Sequence, residues 1–357
     1  MSPMSARPLT IAVTGLNATD NPAPGVGVIR SLRAAGGHDR LVGLAYDALD
    51  PGAYARDIVG DVFMIPYPSQ GIEAFLSRLE YVHRRLELDV IIPTLDAELP
   101  SFIALEPRLR AMGISMCLPT REQLELRSKV NLASLRERAG IRVPRSAMIS
   151  DPDDLYRIHE RVPYPFYVKG TFYGASLATT FEEALAAYYH TVATWGVPVL
   201  VQEYVAGEEL DLVGVGDGAG DLVGAVPMKK MLLTEKGKGW AGITVRDSDL
   251  VDVGRAFVRA TKWRGPFEIE AMRDAKGQYH VIEINPRFPA WVYLSVAAGM
   301  NLPRKTVELA LGRRVDPIPD YEVGTMFVRI SIDQVARIGD FQSIVTTGEI
   351  VRGGEAP

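Results

Sequence analysis

Short apolar runs and longer amphipathic stretches take turns over the first third of the chain. LTIAVTG (9–15), LVGLAYD (41–47) and DVIIPTLD (89–96) are nearly continuous apolar runs of strand length, the pattern of strands covered on both faces. Between them, IEAFLSRLEYVHRRLE places Ile72, Phe75, Leu76, Leu79, Val82 and Leu86 on one helical stripe. A helix opening near Gly27 and a further helix and strand through 106–118 complete the alternation. Helices between short strands predict a Rossmann-like parallel α/β sheet, with ligand loops at the carboxyl ends of its strands. Asp96 and Glu98 stand at one such end, where loop acids are most simply read as solvated.

From about Glu122 the pattern changes to paired strands. A helix is expected through Lys129 to Ala139, stopped by Gly140. PFYVKG ends a strand on Lys169, and GTFYGAS then leads into the helix FEEALAAYYHTVATWG. A lysine entering a loop with two glycines suits phosphate, although the order is not that of a P-loop. PVLVQEYV and EELDLVGV are strands joined at Ala206-Gly207. The backbone of Tyr204 and Val205, flanked by Glu203 and Glu209, offers groups for an adenine edge and a ribose diol. LVGAVPMKKMLL is a further strand ahead of the polar stretch TEKGKGWAG, and a helix is expected over 248–263.

The segment GPFEIEAMRDAKGQYHVIEINPR (265–287) reads as a hairpin turning at Lys276-Gly277. Strand alternation then puts Glu283 and Asn285 on one face, with Ile282 and Ile284 directed into a core. One hairpin register brings Glu270 beside them. Two carboxylates and an amide oxygen are hard ligands suited to Mg²⁺, with Mn²⁺ an acceptable substitute. Arg287, just past the strand, supplies a fork-shaped cation for an anion at that metal.

Composition narrows the classes. At 357 residues the chain exceeds one ordinary domain; the expected division is 1–120, an N-terminal α/β domain, 121–312 with a small lid over about 146–205, and a closing segment 313–357. Its longest apolar run without charges is too short to span a bilayer, and MSPMSARPLT lacks the apolar core of a signal peptide. With one cysteine, Cys117, and five scattered histidines, an internal disulfide and a multi-cysteine zinc site are excluded, the histidine spacing argues against a histidine-built metal centre, and a reducing cytoplasm is expected. A net charge of −5 without a basic stripe argues against a nucleic-acid partner. Only nine of the 39 basic side chains are lysine. Each lysine therefore marks a place where a flexible point charge was used instead of arginine's planar fork, and Lys229, Lys230, Lys236 and Lys238 cluster in one window.

Taken together, VQEYVAGEELDL, VIEINPRF and the preceding Gly265-x-x-x-x-Glu270 resemble the ATP-grasp superfamily, most closely the branch with carbamoyl-phosphate synthetase large subunits, biotin carboxylase and amino-acid ligases. The resemblance covers about 122–312. It implies an ATP-grasp domain behind the N-terminal sheet, with Lys129 and Lys169 on the nucleotide phosphates, Glu203, Tyr204 and Val205 at adenine and Glu209 at ribose. It also implies Glu270, Glu283 and Asn285 on Mg²⁺, and a catalytic charge carried by Arg287 and Lys169. The implied activity is an ADP-forming carboxylate–amine ligase joining a small carboxylic acid or amino acid to an amine through an acyl phosphate, with a homodimer left open. A bicarbonate-activating enzyme and a non-catalytic nucleotide-binding regulator are the alternatives. A nicotinamide enzyme would rest on Gly25, Gly27 and Asp47, where the third glycine of a dinucleotide fingerprint is missing.

Overall fold

The N-terminal apolar runs form strands because neither of their faces meets water. In the computed structural model, which describes residues 7–18, 21–128, 131–170, 174–235 and 237–352, β1 (Thr10–Val13), β2 (Arg40–Ala45), β3 (Val62–Met64) and β4 (Val90–Ile92) pair in parallel. Their order is β3-β2-β1-β4. One face is covered by helices Ile72–Leu86 and Leu99–Ala111, which set Phe75, Leu79, Phe102 and Leu105 against Leu44 and Ile91. The other face shares a core with residues far along the chain, joining Ile11, Val13 and Ile29 to Val213, Val226, Met228, Phe288 and Leu302. That core spans both sides of position 120.

The glycines of the incomplete dinucleotide pattern have a packing explanation. A Cβ on Gly25 would lie 2.0 Å from the Thr14 carbonyl oxygen and 2.4 Å from that of Gly15, so the bare backbone lets helix Pro24–Ala34 start against β1. Asp47 accepts from the Leu49 N–H at 2.8 Å and closes its own turn.

A second sheet is antiparallel and small. β5 (Ser146–Ile149), β6 (Phe166–Lys169), β7 (Ala175–Ala178) and β8 (Val199–Glu203) lie in the order β5-β8-β6-β7. Helix Phe181–Trp195 covers one face. Among the described residues its buried cluster, which includes Ile149, Leu155, Phe166, Val168, Tyr188 and Val201, draws only on this region. Lys129, Phe172, Tyr173 and Lys236 lie outside the described residues.

The third sheet carries the candidate site. β9 (Glu208–Asp217), β10 (Leu222–Leu233), β11 (Gly239–Thr244), β12 (Arg264–Arg273), β13 (Tyr279–Asn285) and β14 (Met326–Val328) run antiparallel in the order β13-β12-β9-β10-β11-β14. One face holds Leu212, Phe267, Ile269, Val281 and Ile284 against Leu250, Phe257 and Trp263, from helix Ser248–Thr261 and the residues after it. The hairpin turn between β12 and β13 is as expected, with Gly277 at φ 76°. The alternation is not. Glu270 pairs with Glu283 but Ala271 pairs with Val281, so Ile282 is an extra, bulged residue. Core positions are therefore Val281 and Ile284, and Ile282 stays half-buried outside that cluster.

The last segment turns back to the first sheet. Within it lies β14, and after helix Ile338–Thr347 the short β15 (Glu349–Ile350) pairs antiparallel with β3. No helix among the described residues is long and apolar enough to cross a membrane.

Candidate functional site

The face of the third sheet opposite helix Ser248–Thr261 gathers acids by register. Glu283 on β13 stands across from Glu270 on β12, which stands across from Asp211 on β9. Asn285 faces Glu268 one step along, and its Nδ2 donates to Glu268 Oε2 and to Glu270 Oε1, each at 3.0 Å. Directly opposed side chains on a sheet face lie within contact range, so the hairpin brings Glu270, Glu283 and Asn285 together as the spacing suggested. Oxygen atoms of Glu209, Asp211 and Glu270 lie within 4.8 Å of one another, and both Asp211 carboxylate oxygens are buried without a hydrogen bond among the described residues. Orphaned acid oxygens beside further carboxylates fit a hard divalent cation.

Two cations hold this charge. Lys230 on β10, its side chain 8% exposed, pairs with Glu209 and sits 3.3 Å from both Asp211 and Glu270. Arg287 donates from Nε to Asp96 Oδ2 at 2.7 Å and from Nη1 to Glu268 Oε2 at 3.4 Å. The acids respond unequally. Burial, and then the charge of Glu270, push the Glu268 carboxyl up, with Arg287 and Lys230 opposing. Glu270 is also raised by burial, but Lys230, Arg287 and the Asn285 amide together bring it below the ordinary range. Asp211 is driven well up by burial, against the pull of Lys230. For Lys230 and Arg287 burial acts downward and the surrounding carboxylates more than reverse it.

The remaining sequence-derived residues lie on or beside the small sheet. Lys169 ends β6 and its Nζ reaches Gln202 Oε1 at 2.7 Å, above the Tyr167 ring. Glu203 ends β8, but its carboxylate is turned to Arg145, which donates from Nη2 at 2.8 Å and Nε at 3.1 Å. Tyr204 donates its N–H to the Pro165 carbonyl at 3.3 Å and packs its ring near Tyr167. Val205 follows in the linker to β9, and Glu209 stands with the acid group instead of apart from it. Lys129 lies outside the described residues.

Several members of this site were not assigned from sequence. Glu268 lies two residues before Glu270 on β12, so alternation alone puts both on one face, whereas Asp211 reaches Glu270 only through cross-strand register. Lys230 had a weak signal in the scarcity of lysine. Asp96 and Glu98 depart from the solvated reading: Asp96 orients Arg287, while Glu98 is 1% exposed. Glu98 accepts from the Thr94 and Leu95 N–H groups at 2.7 and 2.9 Å and from Tyr46 and Thr14, which fixes the loop that presents Asp96.

The fold has known counterparts. The biotin carboxylase domain dimer of 2-oxoglutarate carboxylase from Hydrogenobacter thermophilus, solved with MgADP, ADP and bicarbonate, superposes with a TM-score of 0.69 at 16% identity, over 90% of this chain and 74% of that one. L-amino acid ligase from Bacillus licheniformis superposes with a TM-score of 0.61 at 16% identity, over 86% and 75%. In sequence, residues 196–332 match the family described as ATP-grasp in the biosynthetic pathway with Ter operon. Over that span the chain resembles the ATP-grasp family. The matched span runs from β8 to just past β14 and so contains the whole acid-bearing sheet. The large chain of carbamoyl phosphate synthase from Clostridium acetobutylicum is 22% identical over 229 residues, 60% of this chain. The chain spans about a fifth of the length of the curated relatives it matches.

Proposed function

We propose that this protein is an ATP- and Mg²⁺-dependent carboxylate–amine ligase that forms an amide or peptide bond through an acyl phosphate and releases ADP and phosphate. The observation that carries this reading is the cross-strand alignment of Glu270, Glu283 and Asn285 with Arg287 at the strand end, on the acid-bearing face of an ATP-grasp sheet. Glu270, Glu283 and Asn285 would hold the metal, which supplies charge neutralisation at the nucleotide phosphates when bound. Lys169, and Lys129 with it, would bind those phosphates; Tyr204 and Val205 would border adenine, with Glu203 and Glu209 at either side.

The chemistry is governed by repulsion between anions. A substrate carboxylate oxygen attacks the γ-phosphorus, the bond from that phosphorus to the bridging oxygen breaks, and ADP departs with the electron pair. Positioning and fixed positive charge lower such a barrier, and Arg287, already oriented by Asp96 and Glu268, is the cation at that end of the face. The amine then attacks the acyl carbon, the carbon–oxygen bond to phosphate breaks, and the amine proton is lost to solvent. The small sheet, with a core of its own, is suited to moving as a lid that excludes water from the acyl phosphate. We place the enzyme in the cytoplasm, acting on small molecules.

A screen of amino acids and small carboxylic acids with ATP and Mg²⁺ tests the reading. Acid-dependent release of ADP, with the intermediate captured by hydroxylamine when amine is withheld, is expected. Production of AMP and pyrophosphate would overturn it. A second reading, activation of bicarbonate to carboxyphosphate, is favoured by the likeness to a carboxylase domain solved with bicarbonate; ADP formed with bicarbonate and with no other acid would select it.

A further inference from the structure

The end of the acid-bearing face nearest Arg287 holds a second guanidinium that the ligase reading has not used. Arg127, just after helix Arg121–Leu126, places Nη1 3.4 Å from Asp96 Oδ1, while Arg287 donates from Nε to Asp96 Oδ2 at 2.7 Å. One carboxylate thus lies between two planar forks. Asp96 itself belongs to the loop after β4 that Glu98 fixes through the Thr94 and Leu95 N–H groups. Two arginines far apart in sequence are therefore drawn to one place by an acid whose position is set independently of both.

The two arginines are held unequally. Arg287 is fixed by Asp96, by Glu268 Oε2 at 3.4 Å and by the Phe288 carbonyl at 3.2 Å. Arg127 has only the loose pair with Asp96 among the described residues, and the Asp96 Oδ1 that faces it is buried without a hydrogen bond. A pair built only to join two parts of the chain would close that gap, because a buried acceptor left unbonded is costly. The Arg127 side chain is 25% exposed, so its head borders open space and is free to turn from Asp96 to an incoming anion.

Charge differs between the two ends of the face. Around Lys230 three carboxylates meet one cation, an excess that suits Mg²⁺. At the other end Arg127 and Arg287 balance Asp96 and Glu268, and burial pushes the Glu268 carboxyl up, toward its neutral form. A phosphoryl group in transfer spreads its charge over three equatorial oxygens. Metal at Glu270, Glu283 and Asn285, with Arg287 at the strand end, leaves one of these oxygens to be met from the Asp96 side. We propose that Arg127 is a further catalytic residue, which leaves Asp96 and donates its fork to the phosphoryl group as it passes from ATP to the acid. This rests on the ligase reading above. The bonds made and broken are the same: the acid oxygen joins the γ-phosphorus, the bond to the bridging oxygen breaks, and ADP keeps the electron pair. Arg127 stays protonated throughout.

The test uses the full chain with ATP, Mg²⁺ and the acid found in the screen. Removing a cation that acts only in the transition state lowers kcat and kcat/KM together. Arg127→Gln is therefore expected to reduce kcat by at least about a hundredfold, with the KM of ATP and of the acid unchanged, and Arg127→Lys should restore part of the rate. A residue that merely holds Asp96 would act through it, so Arg127→Gln is repeated in an Asp96→Asn background, where the same fall is expected. A kcat near wild type, a loss carried by KM, or a loss that disappears beside Asp96→Asn would each overturn the assignment. Should Arg127→Gln not fold, Arg127→Lys alone still reads kcat, and a wild-type rate there would show that no fork is needed. If no acid yields ADP, the ligase reading falls. Arg127 is then judged by thermal shift with ADP, Mg²⁺ and aluminium fluoride, a stand-in for the phosphoryl group in transfer. The fluoride should add stability to wild type and not to Arg127→Gln; the same response in both would overturn the assignment.

Discussion

Glu283 and Lys230 show how differently two charged side chains on one sheet face can behave when removed. Glu283 faces the site from the strand end, so Glu283→Gln removes a ligand charge without disturbing the cluster of Val281 and Ile284 beneath it. Circular dichroism and melting should be unchanged while ATP-dependent turnover disappears; full activity would mean that the metal is held elsewhere. Lys230 is different because it neutralises three carboxylates in a confined space. Lys230→Met leaves Glu209, Asp211 and Glu270 facing one another, and breaking a buried ion pair of this kind costs about 3–5 kcal/mol. Urea unfolding should register that loss, and Mg²⁺ should recover part of it by occupying the same oxygens. Unchanged stability without Mg²⁺ would show that these acids do not depend on Lys230.

At the level of elements, the β12–β13 hairpin and the junction of β5 with β8 make separate predictions. The bulge at Ile282 is an extra residue in β13, so its removal leaves Val281, Glu283, Ile284 and Asn285 in regular alternation. A chain lacking Ile282 should fold, by far-UV circular dichroism, but turn over ATP more slowly because the twist that a bulge adds at the strand end is lost. Removing Ile284 instead would pull Asn285 toward the core and should prevent folding. At the other junction, Arg145 holds the Glu203 carboxyl below its ordinary value of 4.5, chiefly by their hydrogen bond, with burial opposing. The folded state binds that proton less tightly than the unfolded chain. The stabilisation is thus complete above the ordinary value and is lost as pH falls through the lowered one. The melting temperatures of wild type and Arg145→Met should differ at pH 7 and converge in acid below about 4.5; a gap independent of pH would assign the effect of Arg145 to packing.

For the molecule as a whole, the shared core matters as much as the separate sheets. The N-terminal sheet and the acid-bearing sheet bury residues in one cluster, whereas the small sheet keeps its own, so these two parts should respond differently to nucleotide. ATP with Mg²⁺ should raise the melting temperature, by an amount equivalent to about 2.7 kcal/mol at a hundredfold excess over Kd. NAD and NADP should not, since Gly25 is filled by backbone and Asp47 closes its own turn. Hydrogen exchange is the direct comparison: protection gained on nucleotide binding is expected in 146–203 more than in the parallel strands.

Read from sequence alone, local patterns were enough for most of the strands and helices, the β12–β13 turn and the meeting of Glu270, Glu283 and Asn285, although the helix expected from Lys129 is described only over Ser134–Ala139. Periodicity and turn chemistry act over a few residues, and a hairpin is a local object. What lay beyond reach was long-range or out of register. Asp211 and Lys230 reach Glu270 through neighbouring strands, Asp96 meets Arg287 from another sheet, and Arg127 joins them through Asp96. A single added residue at Ile282 shifted which isoleucine is buried, because side-chain direction has a period of two and one insertion reverses it. Burial then decided the charges. Glu98, a loop acid to the eye, became a buried anchor because backbone N–H groups and hydroxyls converge on it, and that convergence exists only once the chain has folded.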